Sequence, residues 1–401
     1  MKKSLLVFAL LLIALSFSAC IQAPVEEELE IHINLYGIYP APDNTFSIFA
    51  GKSLYDQANY DYKDSLLFIQ IDTAGNEISS TGFETLDRPN LRALHLLDNG
   101  NIMFMGNMSG YYYSYGYSTW VYSPRGVLQW ELEMSDRTNG IAPAQDGNLF
   151  VFGWEETDTS YDDISYSKVE IDGDTLWNHR IPSNNYGTSI SSGIPTSDNG
   201  CIALGQIRIL DRGSEILVAR ISAIGDTLWT GFFGGDSYDD VNFALELSDA
   251  SILVVGTLNV RDTTNADWSL NSGEQVYLIK LAANGDKLWT KAVGNTLRES
   301  PNTIIEASDG SLILLGTRSQ SYAYLYDETM GWISKLSADG DEEWLQEFEN
   351  KLPMGVRELP NGDFIVVTSN LSDNYYQNTA DINILKLTSS GTLRWNKVLI
   401  P

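Results

Sequence analysis

Residues able to do covalent chemistry are sparse in this chain. Its three histidines, His32, His95 and His179, fall at unrelated positions of the repeat described below, where a satisfied or solvent-facing imidazole is expected rather than a general base. No zinc-ligand spacing, Gly-x-Ser-x-Gly elbow or phosphate loop occurs, so no catalytic residue, metal or cofactor is assigned. Asp172-Gly173-Asp174 and Asp339-Gly340-Asp341 carry paired carboxylates, yet they recur where a hairpin must turn and lack the spacing of further calcium ligands. Cys201 stands alone in an apolar run and reads as core. The side chains that do concentrate are aromatic. Seven segments, 51–63, 107–117, 154–165, 206–215, 257–275, 317–331 and 369–381, hold 93 of the 401 residues but 14 of the 21 tyrosines. The densest group is Tyr111, Tyr112, Tyr113, Tyr115 and Tyr117. Tyr55, Tyr60, Tyr62, Tyr161, Tyr322, Tyr324, Tyr326, Tyr375 and Tyr376 join it, with Trp154 and Trp268 in the same segments. Rigid amphipathic rings mixed with Ser, Asn, Asp and Gly make adaptable contact surfaces, suited to a glycan, a peptide or a protein partner. The simpler alternative is that tyrosine tolerates half-exposed places in β proteins and that these segments pack on one another.

An internal repeat positions these segments. Gly-x-x-x-Trp recurs as Gly126 to Trp130, Gly173 to Trp177, Gly225 to Trp229, Gly285 to Trp289, Gly340 to Trp344 and Gly391 to Trp395, while a copy at Gly75 carries Ser79 instead of Trp. Six of the ten tryptophans thus share one repeat position, and the mean period is about 53 residues. Five residues before the glycine stands Lys168, Arg220, Lys280, Lys335 or Lys386, with Gln70 and Val121 in the two earlier copies. These cations are expected to lie along a strand with their heads toward an acidic neighbour or solvent. Upstream, Asn-Gly and Asp-Gly pairs lead into apolar runs such as Leu149-Phe150-Val151-Phe152-Gly153 and Leu312-Ile313-Leu314-Leu315-Gly316. The turn residues supply the positive φ of a tight hairpin, and runs apolar at consecutive positions need cover on both faces. Four strands per unit follow, in the fourth unit near 192–196, 201–205, 216–221 and 226–232. An all-β, seven-bladed β-propeller of four-stranded antiparallel blades is therefore predicted. Its repeats fall near 36–90, 91–137, 138–188, 189–240, 241–300, 301–352 and 353–401. Each repeated Trp is expected to lie on the neighbouring blade with its indole N–H bonded to a nearby carbonyl.

With 25 basic against 53 acidic residues, the net charge is −28, and no basic face is available to neutralise phosphates, so nucleic acid is excluded as a partner. Lys2 and Lys3 precede a thirteen-residue apolar run, 5–17. That is short of the roughly 20 residues needed to span a bilayer, and it has the build of a secretion signal over 1–19. The run ends in Ser18-Ala19-Cys20, which resembles the lipobox of bacterial lipoproteins, with Phe17 where Leu is usual. The resemblance implies cleavage before Cys20, acylation of that cysteine (palmitate included) and an outer-membrane lipoprotein facing the cell surface or the periplasm. Several acyl chains at roughly 0.8 kcal/mol per buried CH₂ would hold it there. Residues 20–35 then comprise the lipidated cysteine, an acidic tether through Glu26-Glu27-Glu28 and a strand-like end. Acidic residues just after the cysteine resemble a surface-export signal of some Gram-negative phyla.

The repeats resemble those of quinoprotein-like propellers with a tryptophan docking motif. Ile279-Lys280-Leu281-Ala282-Ala283-Asn284-Gly285-Asp286-Lys287-Leu288-Trp289 fits their pattern, as does Gly234-Gly235-Asp236-Ser237-Tyr238-Asp239-Asp240. The resemblance implies the fold over nearly the whole mature chain and is almost silent on activity. The expected function is a non-catalytic, envelope-anchored binding protein that presents its Tyr-rich loops. The alternative is a periplasm-facing scaffold similar to the propeller lipoprotein of the outer-membrane-protein assembly machinery. A quinone-dependent oxidoreductase comes third, since members of that kind use calcium or adjacent cysteines. Ring closure is left open, because 29–35 and 395–400 both read as strands that could complete it.

Overall fold

The computed structural model describes residues 30–41, 44–56, 61–84, 89–97, 100–108, 117–123, 127–134, 137–156, 163–182, 187–209, 213–234, 238–261, 272–294, 298–319, 329–370 and 381–399. Among them, 28 strands form seven four-stranded antiparallel sheets, each made of four strands consecutive in sequence. The sheets are the blades of a seven-bladed β-propeller, and no α-helix lies among the described residues. Blade five is representative, with strands Asp240–Glu246, Ile252–Arg261, Ser272–Leu281 and Lys287–Val293.

The consecutive apolar residues of each second strand serve two interfaces at once. Side chains alternate across a strand, so Ile252 and Val254 pack toward blade four while Leu253 and Val255 pack toward blade six. Seven apolar clusters result, one at each junction of neighbouring blades. First strands of successive blades touch one another around most of the ring, which places them innermost. In every blade the pairing of strands one and two slips by one residue, as between Ile190 and Ser192 or Val241 and Phe243. In blades two to six the glycine that ends the apolar run sits at such a slip, while Ala50 and Thr368 stand there in blades one and seven. At Gly205 a Cβ would lie 1.8 Å from the Ser189 carbonyl oxygen, which is why the run stops at glycine.

The repeated tryptophans join blade to blade. Trp229 Nε1 donates to Ala283 O at 3.0 Å, and Trp344 Nε1 donates to Ser389 O at 3.1 Å. The indoles of Trp177, Trp229, Trp289, Trp344 and Trp395 cover the three-four turn glycines Gly225, Gly285, Gly340, Gly391 and Gly75 of the next blade. Trp130 is the departure, since Leu132 and not an indole covers Gly173. The repeated cations pair within their own blade with an aspartate of the one-two turn. The partners are Lys168–Asp146, Arg220–Asp198, Lys280–Asp249, Lys335–Asp309 and Lys386–Asp363, at 2.6 to 3.2 Å. A second set of links crosses the junctions. Ser197, Ser248 and Ser308 each donate backbone N–H and hydroxyl to Glu246, Glu306 and Glu358 of the following blade.

Neither candidate closing strand is shared between blades. Residues 30–35 begin the first strand of blade one, Glu30–Ala41, and Leu393–Leu399 is the fourth strand of blade seven. The first unit therefore starts at 30, not 36. A bulge between Leu35 and Gly37 breaks the alternation of its first strand, so one strand reads as two pieces. The ring closes through side chains: Ile33, Ile48 and Ile69 pack with Ile365, Val367 and Ile384, and Lys397 Nζ donates to Ala74 O at 2.8 Å.

Candidate recognition face

An antiparallel four-strand meander sends its one-two and three-four turns to one face of the disc. Its two-three connections and the links between blades go to the other, the loop face. The start of the chain's first strand at Glu30 and the end of its last at Leu399 also lie on the loop face. Tyr55, Tyr62, Tyr117 and Trp154, expected in connections, belong to strands at the base of the loops instead. The hairpins outlast their apolar runs because mixed polar and apolar residues beyond the glycine continue the pairing, as Leu258, Asn259, Val260 and Arg261 do with 272–275. Tyr55 stands opposite Tyr62 in register, and Tyr117 stands opposite Asn107. Tyr60, Tyr111, Tyr112, Tyr113, Tyr115, Tyr161, Trp268, Tyr322, Tyr324, Tyr326, Tyr375 and Tyr376 lie outside the described residues, as does Cys20.

Trp154 shows how the strand ends hold an aromatic ring at this face. It is half-buried, its backbone N–H donates to Arg137 O at 3.1 Å, and the Arg137 guanidinium stands 5.2 Å from the ring centroid. Arg137 also meets Glu156 at 3.1 Å, and Arg180 meets Glu155. Further round the disc, Arg298 pairs with Glu274 at 2.6 Å, and Arg318 with Glu347 at 2.6 Å and Glu299 at 3.6 Å. Burial, then the neighbouring Glu274 and Asp239, push the Asp240 carboxyl up. Burial also pushes Lys351 down, where its ammonium donates to Asn370 and Asn383 at 3.0 and 3.2 Å. Asp239 and Glu299, both fully buried, fold back over Gly234 and Gly294 in the links that enter blades five and six. The described part of the loop face is a lattice of paired charges around rigid strand ends.

The turn face carries a hollow of about 350 Å³ over the turns of blade three, lined by Leu97 and Trp130 of blade two, Pro143, Ala144 and Ile171 of blade three and Pro195 of blade four, among others. It opens where the Trp130 indole leaves the turn glycine of the next blade. The groups able to do acid-base or thiol chemistry are dispersed. His95 is held down to about 4 by burial, against an opposing backbone bond with Ile141. His179 is exposed, and its ring lies against Trp177, Tyr166 and Gly225. Burial pushes the Cys201 thiol up. Among the described residues no group of three or more His, Cys, Asp or Glu side chains gathers to hold a metal, and no helix is long and apolar enough to cross a membrane. Asp172 and Asp174 serve a three-four turn, where the Asp174 N–H donates to the Asp172 carboxylate at 3.3 Å.

No family description and no curated relative matches the chain. Solved structures do. One is prolyl oligopeptidase B from Galerina marginata bound to a 25mer macrocyclization substrate, at 10% identity and TM-score 0.50, over 92% of this chain and 51% of that one. Another is the Synechocystis apocarotenoid oxygenase, at 10% identity and TM-score 0.50, over 94% of each chain. The extracellular domains of Drosophila semaphorin 1b match at 12% identity and TM-score 0.41, over 85% of each chain. The chain spans about half the length of the prolyl oligopeptidases it matches. At these identities the likeness is one of fold alone.

Proposed function

We propose that this is a non-catalytic, envelope-anchored propeller lipoprotein, held at Cys20, that uses its Tyr-rich loop face to bind a glycan, peptide or protein. One observation carries the reading. With the strand limits of the structure, the seven two-three connections contract to 52 residues and still keep 11 of the 21 tyrosines. Tyrosine brings large contact area at low conformational cost, and a closed ring of sheets supplies the rigid support that loop recognition needs. The dispersed histidines and the buried thiol support a binding role over an acid-base or thiol-dependent one.

The test is a glycan and peptide array probed with the purified chain, compared with a Tyr111→Ala, Tyr113→Ala, Tyr115→Ala triple variant. Loss of two or three aromatic anchors is expected to weaken binding about tenfold or more, with strand content unchanged by circular dichroism. An array with no bound member, or a triple variant that binds as the parent does, would overturn the assignment. Protease treatment of intact cells reports separately on display: cleavage supports a surface position, and full protection supports the periplasmic scaffold.

A further inference from the structure

We propose that the hollow on the turn face binds a small organic acid, with the carboxylate held by the Gln145 backbone N–H and the apolar body laid against Trp130. The site lies on the face opposite the tyrosine-rich loops and does not depend on them.

The fold itself indicates what fits this place, because at three equivalent places it supplies a carboxylate of its own. Ser197, Ser248 and Ser308 each stand two residues past the first strand of their blade. Their N–H groups donate at 2.6 to 2.7 Å to Glu246, Glu306 and Glu358, which end the first strands of the following blades. Gln145 stands at the same place past Thr138–Pro143. The blade after it ends its first strand in Pro195, which pairs with Cys201 as Glu246 pairs with Ile252. Proline offers no carboxylate, and among the described residues the Gln145 N–H has no acceptor. A charged acceptor gains most from such a donor.

The acidic group beside it is already balanced. Lys168 Nζ meets Asp146 at 2.6 Å, as Arg220 meets Asp198 at 2.7 Å in the next blade. There Glu246 docks beside the pair, with an oxygen 4.0 Å from the same guanidinium. A second carboxylate is thus accommodated next to this kind of turn.

The apolar half of the site comes from the departure of one indole. Trp229 and Trp344 are fixed by bonds to Ala283 O and Ser389 O, two residues before the glycines they cover. Ile171 is the corresponding residue for Trp130, yet Trp130 Nε1 is buried with no partner. The ring lines the hollow instead, with Leu97, Pro143, Ile171 and Pro195. About 350 Å³ admits one ring on a short acid chain.

The test titrates phenylacetate into the purified chain by isothermal calorimetry. Phenylacetamide keeps the ring without the charge, and acetate keeps the charge without the ring. Phenylacetate is expected to bind one to one and at least about tenfold more tightly than either. Equal binding of the amide overturns the carboxylate contact, equal binding of acetate leaves an adventitious ion only, and no binding by phenylacetate overturns the site. Two variants locate it. Gln145→Pro removes the N–H and copies blade seven, which carries Pro360 two residues past its first strand. Pro195→Glu supplies the missing carboxylate from within. Each is expected to weaken phenylacetate about tenfold or more, with strand content unchanged by circular dichroism. Parent-like binding by either folded variant overturns the assignment to this hollow.

Discussion

Two titrating residues illustrate how burial and pairing tune individual groups in this fold. A hydrogen bond from Lys335, at 2.7 Å, and further bonds from Ser311 hold the Asp309 carboxyl down to about 2. Ser251 and then Lys280 lower Asp249 in the same way in the preceding blade. Because the folded value lies below the ordinary one of about 3.9, this contribution is full above about pH 4 and is lost as pH falls toward 2. Asp309 is more than half exposed, so the effect of one pair is small. His95 acts over a higher window. Burial holds it down to about 4, below its ordinary value of about 6.5, so the fold favours the neutral ring and loses stability as pH falls from about 6.5 to 4. Urea midpoints measured at about pH 7, 5 and 3 should therefore decline in two stages. His95→Asn is expected to flatten the first and Asp309→Asn to reduce the second. A His95→Asn midpoint that falls between pH 7 and 5 as steeply as the parent's would refute the assignment of that stage to His95.

At the scale of the strand and turn, what was legible in the sequence is what repeats with one residue type. The second strands announce themselves by apolar runs that no half-buried strand would carry, and the docking tryptophans by their fixed offset from a turn glycine. The Ser–Glu links between blades carry no such signal. Ser197 and Glu246 are an ordinary turn serine and strand-end glutamate, each of which water could satisfy equally well. Their signal lies only in the recurrence of Ser248–Glu306 and Ser308–Glu358 at the same places. A pair of glycines isolates the docking contribution. Gly147 and Gly285 have φ of 85° and 89°, so alanine costs each about 1 kcal/mol of left-handed strain. A Cβ at Gly147 meets nothing within 4 Å, whereas at Gly285 it lies 2.7 Å from the Trp229 ring. Gly285→Ala should therefore lose about 1–3 kcal/mol more than Gly147→Ala in urea denaturation. Equal losses would mean that the indole is free to move off the turn.

The whole ring is where sequence periodicity reaches its limit. Seven units are countable from Gly-x-x-x-Trp, but closure by side chains between two complete blades leaves no strand-level signature, and both chain ends read as possible closing strands. The tyrosines of the loop face are legible as a concentration, while their arrangement in space depends on loop conformations that no repeat encodes. Closure itself is open to measurement. If blade seven docks on blade one as the other blades dock on their neighbours, Trp395→Ala and Trp229→Ala should each cost about 3 kcal/mol, within one cooperative transition. In an unclosed array, the terminal indole would have no following blade and its removal would cost little. The cycle of Trp395→Ala with Gly75→Ala is sharper still, because a Cβ at Gly75 would lie 2.4 Å from the Trp395 ring. Removing the indole should relieve the crowding that the new methyl creates, so the double variant is expected to be more stable than the sum of single losses by at least about 0.5 kcal/mol. Residues 320 positions apart in sequence can couple in this way only if they touch. Strict additivity would therefore open the ring at this junction.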